Sequence, residues 1–370
     1  MSEHEITESF LKALSRYFNG EINAREGAKE AGLSGPNRFL EILKEAYRRD
    51  YVTIRSPIDQ RQCQRFRQWA GLSLSLEPYI VKGKPSHRTF SLKAAEIFLI
   101  YLKRLLINDK VSNINIGIVS GSTTALLVEA LVTSSLWDEV MTEVEAVRNK
   151  NIKVIGLTAN PVKGWALQGD ANMSAYNLAA LLRDKLGKEN RPDAGNEIEP
   201  WGMTNSFIVT QNPSEKRSDS VPSIDRMVLE ITDPDRLKKD GSKSKLDIVL
   251  YGVGSPDSSL FTEILESENI KNPAEAVGDC AYVPIDKNGR EMPLVRDNVN
   301  YTIYSAIRLP ILRQLVETGK MVMLVARNSR SGESRRVNKT PVIRAAIRGR
   351  CANMVCTDEQ TAEEIMKEPA

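Results

Sequence analysis

The apolar run Ile114-Asn115-Ile116-Gly117-Ile118-Val119 passes through Ser120-Gly121-Ser122-Thr123-Thr124 directly into a helical stretch, Ala125 to Leu136. This strand, small-residue loop and helix narrow the choice of fold more than any other feature. A strand that is apolar along its whole length must be covered on both faces, which is the environment of a parallel sheet flanked by helices. The unit recurs. Lys153 to Leu157 reads as a strand before a helix over Asn172 to Leu186, and Phe207 to Thr210 as another strand. Leu246 to Tyr251 ends in Gly252-Val253-Gly254-Ser255-Pro256 ahead of a helix over Ser258 to Glu266. A helix over Ile303 to Glu317 precedes a strand over Met321 to Ala326. A helix over Pro341 to Arg348 precedes the last strand, Ala352 to Cys356. Strands alternating with helices specify an α/β, Rossmann-like parallel sheet. Residues 187–200 and 212–245, rich in Lys, Asp, Ser and Pro, read as solvent-exposed insertions.

The first 55 residues follow a different pattern. Ile6, Phe10, Leu14 and Phe18 recur every fourth position and predict an amphipathic helix closed by Asn19-Gly20. A second helix is expected over Ala24 to Ala31, and a third from Pro36 to about Arg49, burying Phe39, Ile42, Leu43, Ala46 and Tyr47. Residues 50–55 read as a short strand. Ala28 and Gly32, four apart, have the spacing of a helix-turn-helix, where a small residue lets helices cross and a glycine permits the turn. The same spacing also occurs in plain helical bundles. On the third helix Asn37, Arg38, Glu41, Lys44 and Arg48 are the candidates for groove or phosphate contacts. With nine basic and eight acidic residues between Glu5 and Arg55, one copy would hold phosphate weakly, so useful affinity calls for an oligomer. Residues 56–90 read as a connector carrying an Arg61, Arg65 and Arg67 cluster. The domain plan is therefore 1–55, 56–90 and 91–370.

Charge enters the argument locally. The chain holds 51 Lys and Arg against 48 Asp and Glu, a net of +3, which excludes a polybasic coat. Yet residues 327–350 carry eight basic residues and one acid, leaving the remainder at −4. Such a segment suits a nucleic-acid patch, a phosphate clamp or a solvated loop. No run approaches the roughly 18 apolar residues of a membrane span. The acidic start lacks the form of a signal peptide. Cys63, Cys280, Cys351 and Cys356 contain no C-x-x-C pair and the chain has only two histidines, so no metal is expected and a cytoplasmic protein with reduced thiols is.

Two loops open helices at strand ends. Ser120, Gly121, Ser122, Thr123 and Thr124 expose backbone N–H groups and small hydroxyl side chains at a helix start, which favours an anion such as a sugar phosphate. Gly252 to Ser259 repeats the arrangement. Tight strand-to-helix turns need glycine in any case, but two such loops at the carboxyl ends of parallel strands mark the usual ligand crevice of open α/β sheets. Neither His4 nor His87 stands beside a nucleophile, and no catalytic residue or cofactor is assigned.

Over nearly its whole length the chain resembles the SorC family of bacterial sugar-responsive transcriptional regulators. The resemblance rests on Ile116 to Thr124 (IGIVSGSTT), Leu246 to Ser259 (LDIVLYGVGSPDSS), Ala276 to Gly289 (AVGDCAYVPIDKNG) and Lys339 to Ala362 (KTPVIRAAIRGRCANMVCTDEQTA). It implies a helix-turn-helix followed by a domain like the phosphosugar isomerases and deaminases, which binds a sugar or phosphosugar effector in the crevice those enzymes use for catalysis. By the same resemblance Ser120 to Thr124 would hold a phosphate, and Gly252, Gly254 and Ser255 would line the opposite wall. Asp279 would face sugar hydroxyls, and Lys339 would meet the anionic or carbonyl end. The implied partners are a double-stranded DNA operator and a second or further copy of the chain, as homodimer or homotetramer, without a membrane. The chain departs from the family at Glu41, where a basic residue is common, and at Arg327 to Asn338, a long basic stretch in place of a short Gly-Gly. The alternative class is a phosphosugar isomerase or deaminase using Asp279 or Asp358 for proton transfer.

Overall fold

The computed structural model describes residues 7–18, 22–48, 57–71, 76–83, 85–141, 150–158, 170–186, 198–203, 208–210, 223–237, 242–256, 262, 265–266, 269–271, 273–296, 299–303, 305–331 and 335–369. The chain divides into two compact units, Met1–Arg55 and Ser56–Ala370.

In the first unit, three helices form: α1 (Glu8–Phe18), α2 (Ala24–Glu30) and α3 (Pro36–Arg48). Their spacing follows from the apolar pattern. Phe10, Ala13, Leu14, Ala28, Phe39, Ile42 and Leu43 make one small core, with Phe39 5.3 Å from the Phe10 ring and 5.6 Å from the Tyr17 ring. The close crossing of α2 and α3 falls at Gly27, where an added Cβ would stand 2.9 Å from Phe39 Cζ. Asn23 caps α2. Its Oδ1 accepts from the backbone of Arg25 and Glu26, while Glu26 accepts from the Asn23 N–H. Reciprocal capping of this kind satisfies donors that a helix start leaves open. Asn23→Ala is expected to cost the unit about 1 kcal/mol, read as a lower midpoint of helical ellipticity on heating. The expected strand over residues 50–55 lies outside the described residues.

The second unit is built on a seven-stranded sheet of order β1-β15-β12-β6-β2-β3-β4, parallel throughout. The strands are β1 (Glu77–Val81), β2 (Asn113–Ile118), β3 (Asn151–Gly156), β4 (Ile198–Gly202), β6 (Ile248–Tyr251), β12 (Met321–Val325) and β15 (Met354–Asp358). Side chains alternate between the two faces of each strand, as a pleat requires. Ile114, Ile116, Ile118, Ile248, Leu250, Met321, Met323 and Val325 face one core. That core is closed by α5 (His87–Leu106), α6 (Ser122–Thr133), α7 (Leu136–Val140) and α8 (Ala171–Leu186). Val249, Tyr251, Val322 and Leu324 face the other. It is closed by α4 (Gln60–Ala70), α9 (Ser223–Thr232), α10 (Leu309–Glu317), α11 (Thr340–Arg348) and α12 (Glu359–Met366). Burial of both faces explains why the strand sequences are continuously apolar.

Several elements differ from the sequence reading. Residues 56–90 supply α4, the edge strand β1 and the start of α5, with Cys63, Phe66, Ala70 and Ile80 buried in the core. A five-residue strand interrupted by Pro78 is a weak signal, tolerated here because β1 is an edge. Within 212–245, α9 is no exposed insertion: Val228, Leu229 and Ile231 are buried. The helix expected from Ile303 begins only at Leu309, because Val299–Ile303 forms strand β11. β11 pairs antiparallel with β5 (Ile208–Thr210) and with β10 (Leu294–Arg296), so β5 joins a small separate sheet rather than the central one. Two further antiparallel groups are β7 (Val253–Gly254), β8 (Gly278–Cys280) and β9 (Val283–Ile285), and the hairpin of β13 (Ser329–Ser331) with β14 (Arg335–Val337). The helix expected over 258–266 lies largely outside the described residues. Among the described residues no helix is long and apolar enough to cross a membrane.

Candidate functional site

The chain runs outward from β2 through β3 to β4 in one direction, and β6, β12 and β15 build in the other. The carboxyl ends of β2 and β6 are therefore the point where strand order reverses, which leaves a crevice no crossover helix covers. The two small-residue loops meet there. A Cβ added at Gly252 would stand 3.7 Å from Thr123 Cβ and 3.6 Å from the Val325 carbonyl.

A cavity of about 240 Å³ opens at this end of the sheet, lined by His87, Phe90, Ser91, Ser122, Thr123, Leu126, Arg327 and Lys339. Three of the residues expected from sequence, Ser122, Thr123 and Lys339, thus share one cavity. Gly121 makes the turn into α6 at φ +154° and ψ 150°, a conformation that L side chains rarely adopt. It caps α6 without a side-chain hydrogen bond, so the first N–H groups of the helix are open to a ligand.

The other expected residues have different duties. Ser120 is 6% exposed, and its hydroxyl accepts from Thr158 Oγ1 at 2.8 Å and from the Ala171 N–H at 3.1 Å while donating to the Thr158 carbonyl at 3.2 Å. It ties the ends of β2 and β3 to the start of α8. Thr124 is 1% exposed and donates to the Val119 carbonyl at 2.8 Å and the Gly121 carbonyl at 2.9 Å, bracing the loop from behind. Both hydroxyls shape the loop and neither lines the cavity. Gly254 pairs with Asp279 across β7 and β8. Gly254, Ser255 and Asp279 are not among the lining residues of the cavity, and Ser255 and Asp279 are buried. The Tyr282 N–H donates to Asp279 Oδ1 at 3.3 Å. Asp279 nevertheless reaches the site through its charge. Burial lowers the pKa of Lys339, and Asp279 partly offsets this.

Sequence reasoning missed His87, Phe90, Ser91, Leu126 and Arg327. Arg327 had a signal: it follows β12, so it stands at the same carboxyl edge as the two loops. Its guanidinium lies 5.2 Å from the Phe90 ring centre, donates through Nη1 to the Pro85 carbonyl, and stands 3.8 Å from Asp358 Oδ2. Burial lowers its pKa, partly offset by Asp358. His87 stands at the cavity edge, where partial desolvation, then the charges of Arg327 and Lys339, lower its pKa. Asn328 fixes the Lys339 end of the hairpin. Its Oδ1 accepts from the Lys339 N–H at 2.7 Å, and its Nδ2 donates to Thr340 Oγ1 at 3.0 Å and to Glu364 Oε2 at 2.6 Å.

The basic stretch 327–350 is therefore not one patch. Arg327 and Lys339 line the cavity, whereas Arg344, 6% exposed, is held by the Ile365 and Glu364 carbonyls. The side chains of Arg330, Arg335 and Arg336 lie outside the described residues. Asp358 caps α12, accepting from the Thr361 N–H at 2.8 Å, so of the two carboxylates considered for proton transfer it has a structural task. Among the described residues no group of acidic, histidine and cysteine side chains could hold a metal.

In the first unit α2 and α3 form two helices joined by a five-residue turn, 31–35. Asn37 and Glu41 are exposed on α3, and Arg38 Nη1 stands 3.2 Å from Glu41 Oε2. Lys44 and Arg48 are on the same helix, their side chains outside the described residues.

No protein-family model and no curated protein sequence matches this chain. Solved structures do. The full-length sorbitol operon regulator SorC from Klebsiella pneumoniae has 18% identity and a TM-score of 0.53, over 99% of this chain and 100% of that one. The probable sor operon regulator from Shigella flexneri has 18% identity and a TM-score of 0.51, over 83% of this chain and 99% of that one. The fold of this chain, a mostly parallel α/β sheet carrying smaller antiparallel groups, is the fold of these sor operon regulators, and the Klebsiella match also spans the N-terminal helical unit.

Proposed function

We propose that this protein is a DNA-binding transcriptional regulator of the SorC type, with residues 1–55 reading an operator and residues 56–370 binding a phosphorylated, sugar-like effector. The cationic cavity at the switch point of the sheet carries this reading, because it stands in a chain whose first unit sets two short helices, α2 and α3, either side of a five-residue turn, the order a helix-turn-helix requires. The likeness in fold to the two sor operon regulators supports it. The recognition helix in this reading is α3, whose N-terminal residues Asn37 and Arg38 would meet base edges or phosphates, as in helix-turn-helix proteins generally. Near-neutral charge in this unit means that a homodimer or homotetramer binds, each copy adding a half-site. Effector binding shifts the balance between assemblies that space the half-sites differently, by its differential affinity for the two.

Retardation of the protein's own upstream DNA in a gel, with and without phosphosugars, tests this. The expected result is retardation at low salt that a phosphosugar strengthens or abolishes. Asn37→Ala is expected to weaken operator binding by about 1–3 kcal/mol. Failure to retard any duplex at low salt would remove the regulator reading. Turnover of glucosamine-6-phosphate or ribose-5-phosphate, lost on Asp279→Asn, would replace it with the enzyme reading.

A further inference from the structure

Arg327, Lys339 and His87 line one cavity and no acidic side chain does. Each is held against its own charge. Lys339 is disfavoured as a cation by burial and only partly restored by Asp279. Arg327 is disfavoured by burial, and its nearest acid, Asp358, is 3.8 Å away, beyond hydrogen-bond distance. The Nε of Arg327 is a buried donor without a partner among the described residues. His87 is disfavoured as a cation by partial desolvation and by both of these neighbours. A buried donor left unmatched and like charges brought together both cost free energy until an anion enters. The groups facing His87 are Arg327 after β12, Lys339 before α11, and the uncharged Ser122 and Thr123 of α6. Behind them stand Asp358 beside Arg327, and Asp279, whose charge reaches Lys339.

We infer that this cavity is a receptor for a dianionic group, phosphoryl or sulfuryl, in which Arg327 and Lys339 supply fixed charge and His87 takes up a proton as the anion enters. The inference rests on the effector reading above and specifies the chemistry of the effector's anionic end. In the free protein Arg327 and Lys339 favour neutral His87. A bound dianion reverses the local field and favours the imidazolium, so binding consumes a proton. Affinity is then highest below the His87 pKa of the free protein, falls as pH rises from that value to the His87 pKa of the complex, and is level above it. The fall is about tenfold for each unit separating the bound and free pKa values.

The chain has two histidines, His4 and His87, so imidazole proton resonances of the full-length protein report His87 directly once His87→Gln assigns it. Sulfate is the probe, because it stays doubly charged across neutral pH and every proton taken up must come to the protein. At equal ionic strength, sulfate is expected to raise the His87 pKa by at least one unit over chloride and to leave His4 within 0.3 of its chloride value, as an order-of-magnitude expectation. Arg327→Gln is expected to raise the His87 pKa in the sulfate-free protein and to weaken sulfate binding by about tenfold or more. A purely structural Arg327 would leave the sulfate-free titration unmoved. The inference is overturned if sulfate shows no saturable binding, or binds while His87 titrates as in chloride. DNA retardation separates the two readings. A protein that retards its operator but keeps His87 unmoved loses this inference alone, and one that shows the sulfate effect but retards no DNA loses the regulator reading alone.

Discussion

Gly278→Ala is expected to destabilise the 56–370 unit by about 2–5 kcal/mol, as overpacking and backbone strain each contribute. Gly278 opens β8 at φ +147°, and an added Cβ would stand 2.2 Å from the Gly254 carbonyl and 2.9 Å from both Cβ and Cγ2 of Val342. Neither obstacle is the free end of a flexible side chain. The first is the backbone of β7, paired to β8 through Gly254 and Asp279, and the second is a buried residue of α11. The clash is relieved only by moving β8 away from both β7 and α11, and α11 carries Lys339 as its N-cap. The variant should therefore lose sulfate affinity together with stability. Gly252→Ala is the control. Its Cβ would meet the Val325 carbonyl at 3.6 Å, ordinary contact, and the cost should stay below about 1 kcal/mol. Urea midpoints of the two variants give the comparison. Equal midpoints would show that the approach of β7, β8 and α11 is loose.

Asp233→Ala should cost about 2–3 kcal/mol. Asp233 is fully buried at the end of α9. Arg308, the N-cap of α10, donates to it through Nη2 to Oδ1 at 2.7 Å and through Nε to Oδ2, and Arg236 Nε stands 3.1 Å from Oδ2. Burial works against the Arg308 charge, but the hydrogen bond and charge of Asp233, with Asp235 and Glu291, outweigh it and raise the pKa. Removing one partner of a buried ion pair costs about 3–5 kcal/mol, because it leaves the other charge uncompensated. Here the Arg308 side chain is 37% exposed and regains some hydration, which sets the lower value. Urea unfolding of Asp233→Ala, Arg308→Ala and the double variant should give a coupling of at least about 1 kcal/mol. A single variant within 0.5 kcal/mol of the parent would show that the pair adds nothing to stability.

The legible parts of the site were those written into contiguous residues. Ser120 to Thr124 reads as a loop at a strand end because glycine and small hydroxyl residues follow an apolar run, and Lys339 stands in a motif with many fixed positions. What the loop residues do was not legible. Ser120 and Ser122 are the same residue type two positions apart. The Ser120 hydroxyl is consumed by Thr158 and Ala171, and Ser122 lines the cavity. That choice depends on the ends of β3 and α8, which the local sequence does not contain. Arg327 and His87 lie 240 positions apart, in a basic stretch and an apparent connector, and each alone looks solvated. Their meeting beside Lys339 requires β12 to be laid next to β6 and the start of α5 to be packed against the α6 end of the sheet.

By itself the sequence determined the class of fold, because an apolar period of two and an amphipathic period of about 3.6 are local consequences of pleat and helix geometry. It also determined the three helices of the first unit and the two glycine-bearing loops, since turns need particular residues at particular places. Only the tertiary structure decided which strands are neighbours, which hydroxyls are consumed as scaffold, and which charges share a cavity. Those outcomes depend on long-range packing, where free energy is set by what surrounds a residue rather than by what adjoins it in the chain. The basic surplus of residues 327–350 shows the difference. The sequence records eight cations, whereas the fold sends Arg344 into a buried cradle of carbonyls and directs Arg327 and Lys339 to one cavity.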